Sequence, residues 1–142
     1  MPYRLPSHLE NYAAAIPGDI KKALSDAELL ARCTEAHRIR EQARTLPLSS
    51  IDYRAWLDRS TAVLKALPPR ELHKQLDKLR TQISESSGTL RAGYRQRADD
   101  IAKRNPQPDD EALAVAEKVV ASSRRNRVAD ILYKTATRRQ GS

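Results

Sequence analysis

The sequence has few of the residues that fill large cores or build chemical sites. Among its 142 residues there is no phenylalanine, one tryptophan, one cysteine and four glycines. A single cysteine excludes an internal disulfide, which favours a reducing compartment. The apolar residues are mostly alanine and leucine, so each buried position removes little surface from water. Thin aliphatic seams suit helical bundles and coiled coils, and self-association would stabilise them; we therefore expect a homo-oligomer.

Long hydrophobic runs are missing as well. The opening residues, MPYRLP, lack the apolar stretch of a signal peptide, and no apolar run approaches the ~20 residues that a membrane span needs. We therefore expect a cytoplasmic protein without membrane contact. The sequence also contains no internal repeat and no glycine-rich phosphate loop.

What the sequence does contain is a nearly continuous series of amphipathic helix patterns. The clearest seam recurs at steps of three and four residues, as an amphipathic helix requires. It consists of Leu72, Leu76, Leu79 and Ile83. No pattern typical of a strand competes with it, so the sequence predicts an all-α protein.

Local signals predict where the helices begin. Two capping boxes, in which a serine is followed three residues later by a glutamate, predict helix starts at Ser7 and Ser25. Ser49 or Ser50 can cap a third helix, and Pro69 suits the first position of a fourth because its missing N–H would be unpaired there. Proline or glycine follows each of the first three patterns and ends it.

Two boundaries lie further along. Gly88 either ends a helix or sits inside a rod continuing to Arg104; the Ser-Ser-Gly composition favours the break. The Asn-Pro-Gln-Pro segment at 105–108 predicts a linker. We expect five to seven helices, with a helical bundle or antiparallel helical hairpin domain at 1–104 and a C-terminal basic helical region at 109–142. That region is either one long helix or a helix pair.

Charge is distributed unevenly. The chain carries a net charge of +8, yet residues 1–117 sum to +2, whereas residues 118–142 hold seven basic residues and one acid, or +6. Cations along one arm are what phosphate contacts need, and a neighbouring amide can reach a base edge. The alternative is a solvated basic helix end. The predicted nucleic-acid-binding residues are Arg124, Arg125, Asn126, Arg127, Lys134, Arg138 and Arg139.

A helix-turn-helix over residues 113–133 fits poorly. The turn would lack its usual glycine, and Glu117 and Lys118 would occupy positions where apolar and small residues are expected. We therefore predict binding through a basic arm and not through this motif.

Other chemical arrangements have ordinary structural explanations. Cys33 and His37 lie four residues apart on one side of a helix, but no second pair follows and the other histidines are in different segments. We expect no catalytic residue, metal or cofactor. Tyr53 and Trp56 are expected in the core; if they are exposed, they become partner-binding candidates. Mixed charges on the second predicted helix, including Arg32, Arg38, Arg40 and Arg44, predict a solvated face.

The sequence thus predicts a non-enzymatic, nucleic-acid-associated protein, such as a small bacterial or mobile-element regulator or packaging component. The alternative is an adaptor or inhibitor that binds another protein through an amphipathic helix or the Trp56 surface.

Overall fold

The protein folds as an all-helical bundle. The computed structural model describes residues 3–140, without the side chains of 126–131 and 133–140. A 3₁₀ turn at Ser7–Leu9 precedes seven helices: α1 (Glu10–Ala15), α2 (Gly18–Lys22), α3 (Asp26–Thr45), α4 (Ser50–Lys65), α5 (Pro69–Glu85), α6 (Gly88–Arg104) and α7 (Asp110–Gln140). Within the described range, no helix is both long and apolar enough to cross a membrane.

Local capping chemistry marks the starts of α3 and α4. Ser25 and Glu28 form the predicted reciprocal capping box, and the Ser49 hydroxyl accepts from the Asp52 amide. The box predicted at Ser7 was wrong. Pro6 precedes a 3₁₀ turn there, no side-chain cap forms, and the α-helix begins only at Glu10.

Helix α3 lies at the centre of the bundle. It packs against α1, α4 and α7, and four of its buried residues are alanines. Ala31, Cys33 and Ala36 are almost completely buried, together with Leu64 of α4. Ala116 and Val120 place the first half of α7 in the same core.

Helices α5 and α6 form a separate hairpin that packs along the predicted leucine seam. Leu72 and Leu79 are buried, whereas α6 has no buried residue. The break predicted near Gly88 is confirmed: α5 ends at Glu85, and Gly88 has a left-handed φ of 58°. A continuous rod does not form.

The segment at 105–108 is non-helical, as predicted, but it is fixed to the body. The Leu67 amide donates to the side-chain oxygen of Asn105 at 2.9 Å, and the Gln107 side chain donates to the Leu67 carbonyl at 2.6 Å. Beyond it, Asp109 caps α7 by accepting from the Ala112 amide at 2.7 Å. The division of the chain into two regions remains a prediction.

Candidate nucleic-acid interface

The C-terminal region is one continuous helix from Asp110 to Gln140, the last residue that the structure describes. Helix α7 runs without a turn over 31 residues, which corresponds to about 47 Å at 1.5 Å per residue. The two short helices of a helix-turn-helix are therefore not formed in it, as we predicted. A continuous helix of this length places residues at regular spacing along one face.

One face of α7 changes from aliphatic to basic along its length. Eight positions spaced three or four residues apart share this face, since the mean spacing is close to the 3.6-residue helical repeat. In order they are Leu113, Ala116, Val120, Arg124, Arg127, Ile131, Lys134 and Arg138. The first three contact the helical body, and four of the next five are basic. We call the positions from Arg124 to Arg138 the basic face.

Arg124 begins the basic face and is tied to the body. Its guanidinium forms an ion pair with the Asp26 carboxylate at the start of α3. The same carboxylate oxygen accepts from the Tyr3 amide at 3.2 Å. The Arg124 side chain nevertheless stays 56% exposed. One predicted phosphate contact thus also helps to fix α7 against α3.

The remaining predicted contacts divide into two groups. Arg125 is exposed, next to Arg124. The side chains of Asn126, Arg127, Lys134, Arg138 and Arg139 lie outside the described residues, so only their positions along α7 are given.

The hairpin of α5 and α6 is a second basic region. The small net charge of residues 1–117 does not show it. Residues 69–104 hold nine basic and five acidic residues, a net charge of +4, and residues 105–117 cancel it with four acids. Arg91 serves the fold, because its Nε donates to the Ser86 carbonyl at 2.8 Å and closes the hairpin. Charge counted helix by helix reveals this region.

Arg32 is buried, although the sequence predicted that it lies on a solvated face of α3. It is 1% exposed, and its guanidinium donates to the carbonyls of Ala66 and Leu67 and to Gln107. Burial lowers the pKa of Arg32, and the nearby Glu28 carboxylate opposes this shift. Arg38, by contrast, is exposed and pairs with Glu35, as a solvated face requires.

The aromatic residues of α4 are not core anchors, contrary to the first expectation. Tyr53 is 38% exposed, and Trp56 is half-buried beneath the guanidinium of Arg59, 5.0 Å from the ring centre. Leu46 and Ile51 are exposed nearby in the sequence. The exposed Tyr53 therefore meets the condition for a partner-binding candidate, whereas the half-buried Trp56 meets it only in part.

Cys33 and His37 do not form a reactive pair in this fold. Cys33 is fully buried, and burial raises its pKa to about 11, which keeps the thiol protonated near neutral pH. His37 instead contacts other residues: its Nδ1 lies 3.2 Å from the Tyr12 hydroxyl, and its ring packs edge-on to His8. The long-range approach of His8 was not predicted.

Comparisons with protein-family models, with curated proteins and with solved structures found no match to this chain.

Proposed function

We propose that this protein binds nucleic acid without catalysing a reaction, through electrostatic contact between the basic face of α7 and phosphate groups. The observation that carries the proposal is the change of that face from aliphatic to basic at Arg124. The aliphatic half fixes the helix to the body, while the basic half supplies cations in one line. Arg124 and Arg138, with Arg127 and Lys134 between them, lie 14 positions apart on the helix, or about 21 Å.

Fluorescence anisotropy with a labelled DNA duplex and a labelled RNA strand tests this function. The test variant of the full chain replaces four predicted phosphate contacts with glutamine: Arg127, Lys134 and Arg138 of the basic face, and the adjacent Arg139. The control replaces four exposed basic residues of the body with glutamine, so that both proteins have the same net charge: Lys22, Arg44, Arg54 and Lys65.

Wild-type affinity should fall steeply between about 50 and 200 mM salt, because cations that neutralise phosphates release counterions. Loss of four phosphate contacts should reduce the magnitude of the logarithmic salt slope by about 3 to 4 on duplex DNA. The control should keep most of that slope. Equal losses in both variants, or no binding by the wild type at low salt, would contradict the proposal.

The second candidate function is protein binding through Tyr53 and Trp56. The exposure of Leu46, Ile51 and Tyr53, which are close in the sequence to the half-buried Trp56, favours it. Aromatic anchors concentrate interface energy, so Trp56→Ala should abolish such binding while leaving nucleic-acid affinity unchanged. Failure to bind nucleic acid at any salt concentration would favour this candidate.

Self-association and a cytoplasmic location remain part of the proposal. Val115 and Val119 are exposed one turn apart on α7, and a second copy could cover them. Light scattering of the wild type and of Val115→Ser/Val119→Ser tests this contact: a dimer that survives both substitutions must use another surface.

A further inference from the structure

We propose that a groove between the N-terminal segment and α7 binds phosphate and extends the basic face onto the helical body. This inference rests on the proposed function for the identity of its ligand, the phosphodiester backbone of a nucleic acid. The groove has a volume of about 310 Å³. It is lined by Tyr3, Arg4, Leu5, Pro6, Ser123 and Arg124.

The charges of the groove suit an anion. Arg4 of the N-terminal segment and Arg124 of α7 both line it, and none of the residues that line it is acidic. Arg4 is exposed and the Arg124 side chain is 56% exposed, so neither side chain is enclosed by the protein. Arginine binds phosphate through two parallel hydrogen bonds. The Ser123 hydroxyl is a further donor, and serine hydroxyls often donate to phosphate oxygens in nucleic-acid complexes.

The walls of the groove are held together by Asp26. Its carboxylate accepts from the Tyr3 amide on one wall and pairs with Arg124 on the other. Asp26 itself does not line the groove. It therefore positions the two walls while competing with any phosphate for the Arg124 guanidinium.

The position of the groove connects it to α7. Arg124 is at once a wall of the groove and the first residue of the basic face. A strand that contacts Arg124 at the body end of the basic face can therefore also contact Arg4, because both residues line the same groove. Arg4 is distant from α7 in the sequence, and for this reason the charge pattern alone did not identify it.

Duplex binding by full-length variants tests the groove. Arg4→Gln should lower affinity at low salt by about threefold to tenfold and reduce the salt slope by about 1, as expected for one lost phosphate contact. Arg54→Gln is the matched control, because Arg54 is an exposed arginine of α4 outside the groove. Equal effects of the two substitutions would overturn the inference.

Asp26→Asn separates competition for Arg124 from a purely structural role of Asp26, because only competition predicts a gain in affinity. Asparagine keeps an oxygen that accepts from the Tyr3 amide but removes the charge that competes for Arg124. Affinity for the duplex should rise severalfold, and Arg124→Gln in the same chain should remove that gain. Unchanged or weaker binding by Asp26→Asn, with an unchanged urea midpoint, would count against the groove.

Titration with inorganic pyrophosphate, followed by amide NMR shifts, separates the two proposals. Saturable shifts at Arg4, Leu5 and Ser123 without any duplex binding would support the groove while contradicting the proposed function. Duplex binding that depends on the basic face, with no pyrophosphate response and no specific effect of Arg4→Gln, would overturn the groove and leave the proposed function standing.

Discussion

The Arg32 guanidinium and the Gln107 side chain are 2.9 Å apart and join the middle of α3 to the segment between α6 and α7. The same guanidinium donates to the carbonyls of Ala66 and Leu67, which follow the C-terminus of α4. A single buried side chain thus connects three parts of the chain. Arginine is suited to this role because its planar group offers five donors in a fixed geometry.

Replacing Arg32 with methionine should destabilise the fold by about 2 to 4 kcal/mol, because buried acceptors lose their donor. Urea unfolding measures the loss. Arg38→Met is the control on the same helix; Arg38 is exposed and paired with Glu35, so its loss should cost at most about 1 kcal/mol. Similar losses for both variants would show that the Arg32 contacts contribute little.

Two glycines should respond to alanine with opposite signs. Gly88 has a φ of 58°, so Gly88→Ala should destabilise the protein by about 1 to 2 kcal/mol. Gly93 lies inside α6, and a methyl group there meets nothing within 4 Å, so Gly93→Ala should stabilise it by about 0.5 to 1 kcal/mol. Thermal or urea unfolding checks the signs; a stabilising Gly88→Ala would mean that this turn is not left-handed in solution.

The two serine–glutamate patterns should differ in their contribution to stability. Ser25→Ala removes a formed capping box and should cost about 1 kcal/mol. Ser7→Ala should change the free energy of unfolding by less than about 0.5 kcal/mol, because Ser7 caps no helix. Urea midpoints that shift equally for both serines would contradict the capping difference between them.

The buried Cys33 thiol should make the free energy of unfolding depend on pH in the alkaline range. Its pKa is about 11 in the folded chain, above the value of about 8.5 expected when unfolded. As pH rises, the thiol therefore loses its proton in the unfolded chain first. The contribution of Cys33 to the free energy of unfolding is complete below both pKa values and decreases as pH rises from the lower to the higher one. Urea unfolding at pH 8 and pH 10 should show a larger decrease for the wild type than for Cys33→Ala.

The same burial should protect Cys33 from thiol reagents. An aromatic disulfide reagent at pH 8 should react slowly with the native protein and rapidly in urea, since only the exposed thiolate attacks. Rapid reaction of the native chain would show that the region around α3 opens often.

Local patterns in the sequence were sufficient for most helix boundaries. The caps at Ser25, Ser49 and Asp109 each involve a partner three residues away, and Pro69 begins α5 through its own fixed φ. Such interactions depend only on neighbours. Ser7 shows the limit of this argument, because Pro6 allowed a 3₁₀ turn to form in place of the predicted cap.

The candidate site could be predicted only in part. Charge counting located the basic half of α7, because its cations lie close together in the sequence. It did not identify Arg4, whose neighbour Ser123 belongs to the other end of the chain. It also missed the basic hairpin, since adjacent acids cancelled its charge in the sum.

The amino-acid sequence by itself determined that this protein is helical, where most of its helices start, and which end carries the excess of positive charge. Only the tertiary structure decided that Arg32 is buried, that Arg124 pairs with Asp26 and that Trp56 stays outside the core. The physical reason is the distance along the sequence over which each interaction acts. Helix propensity and capping act within one turn, whereas burial and pairing of a side chain depend on residues as far as 98 positions away.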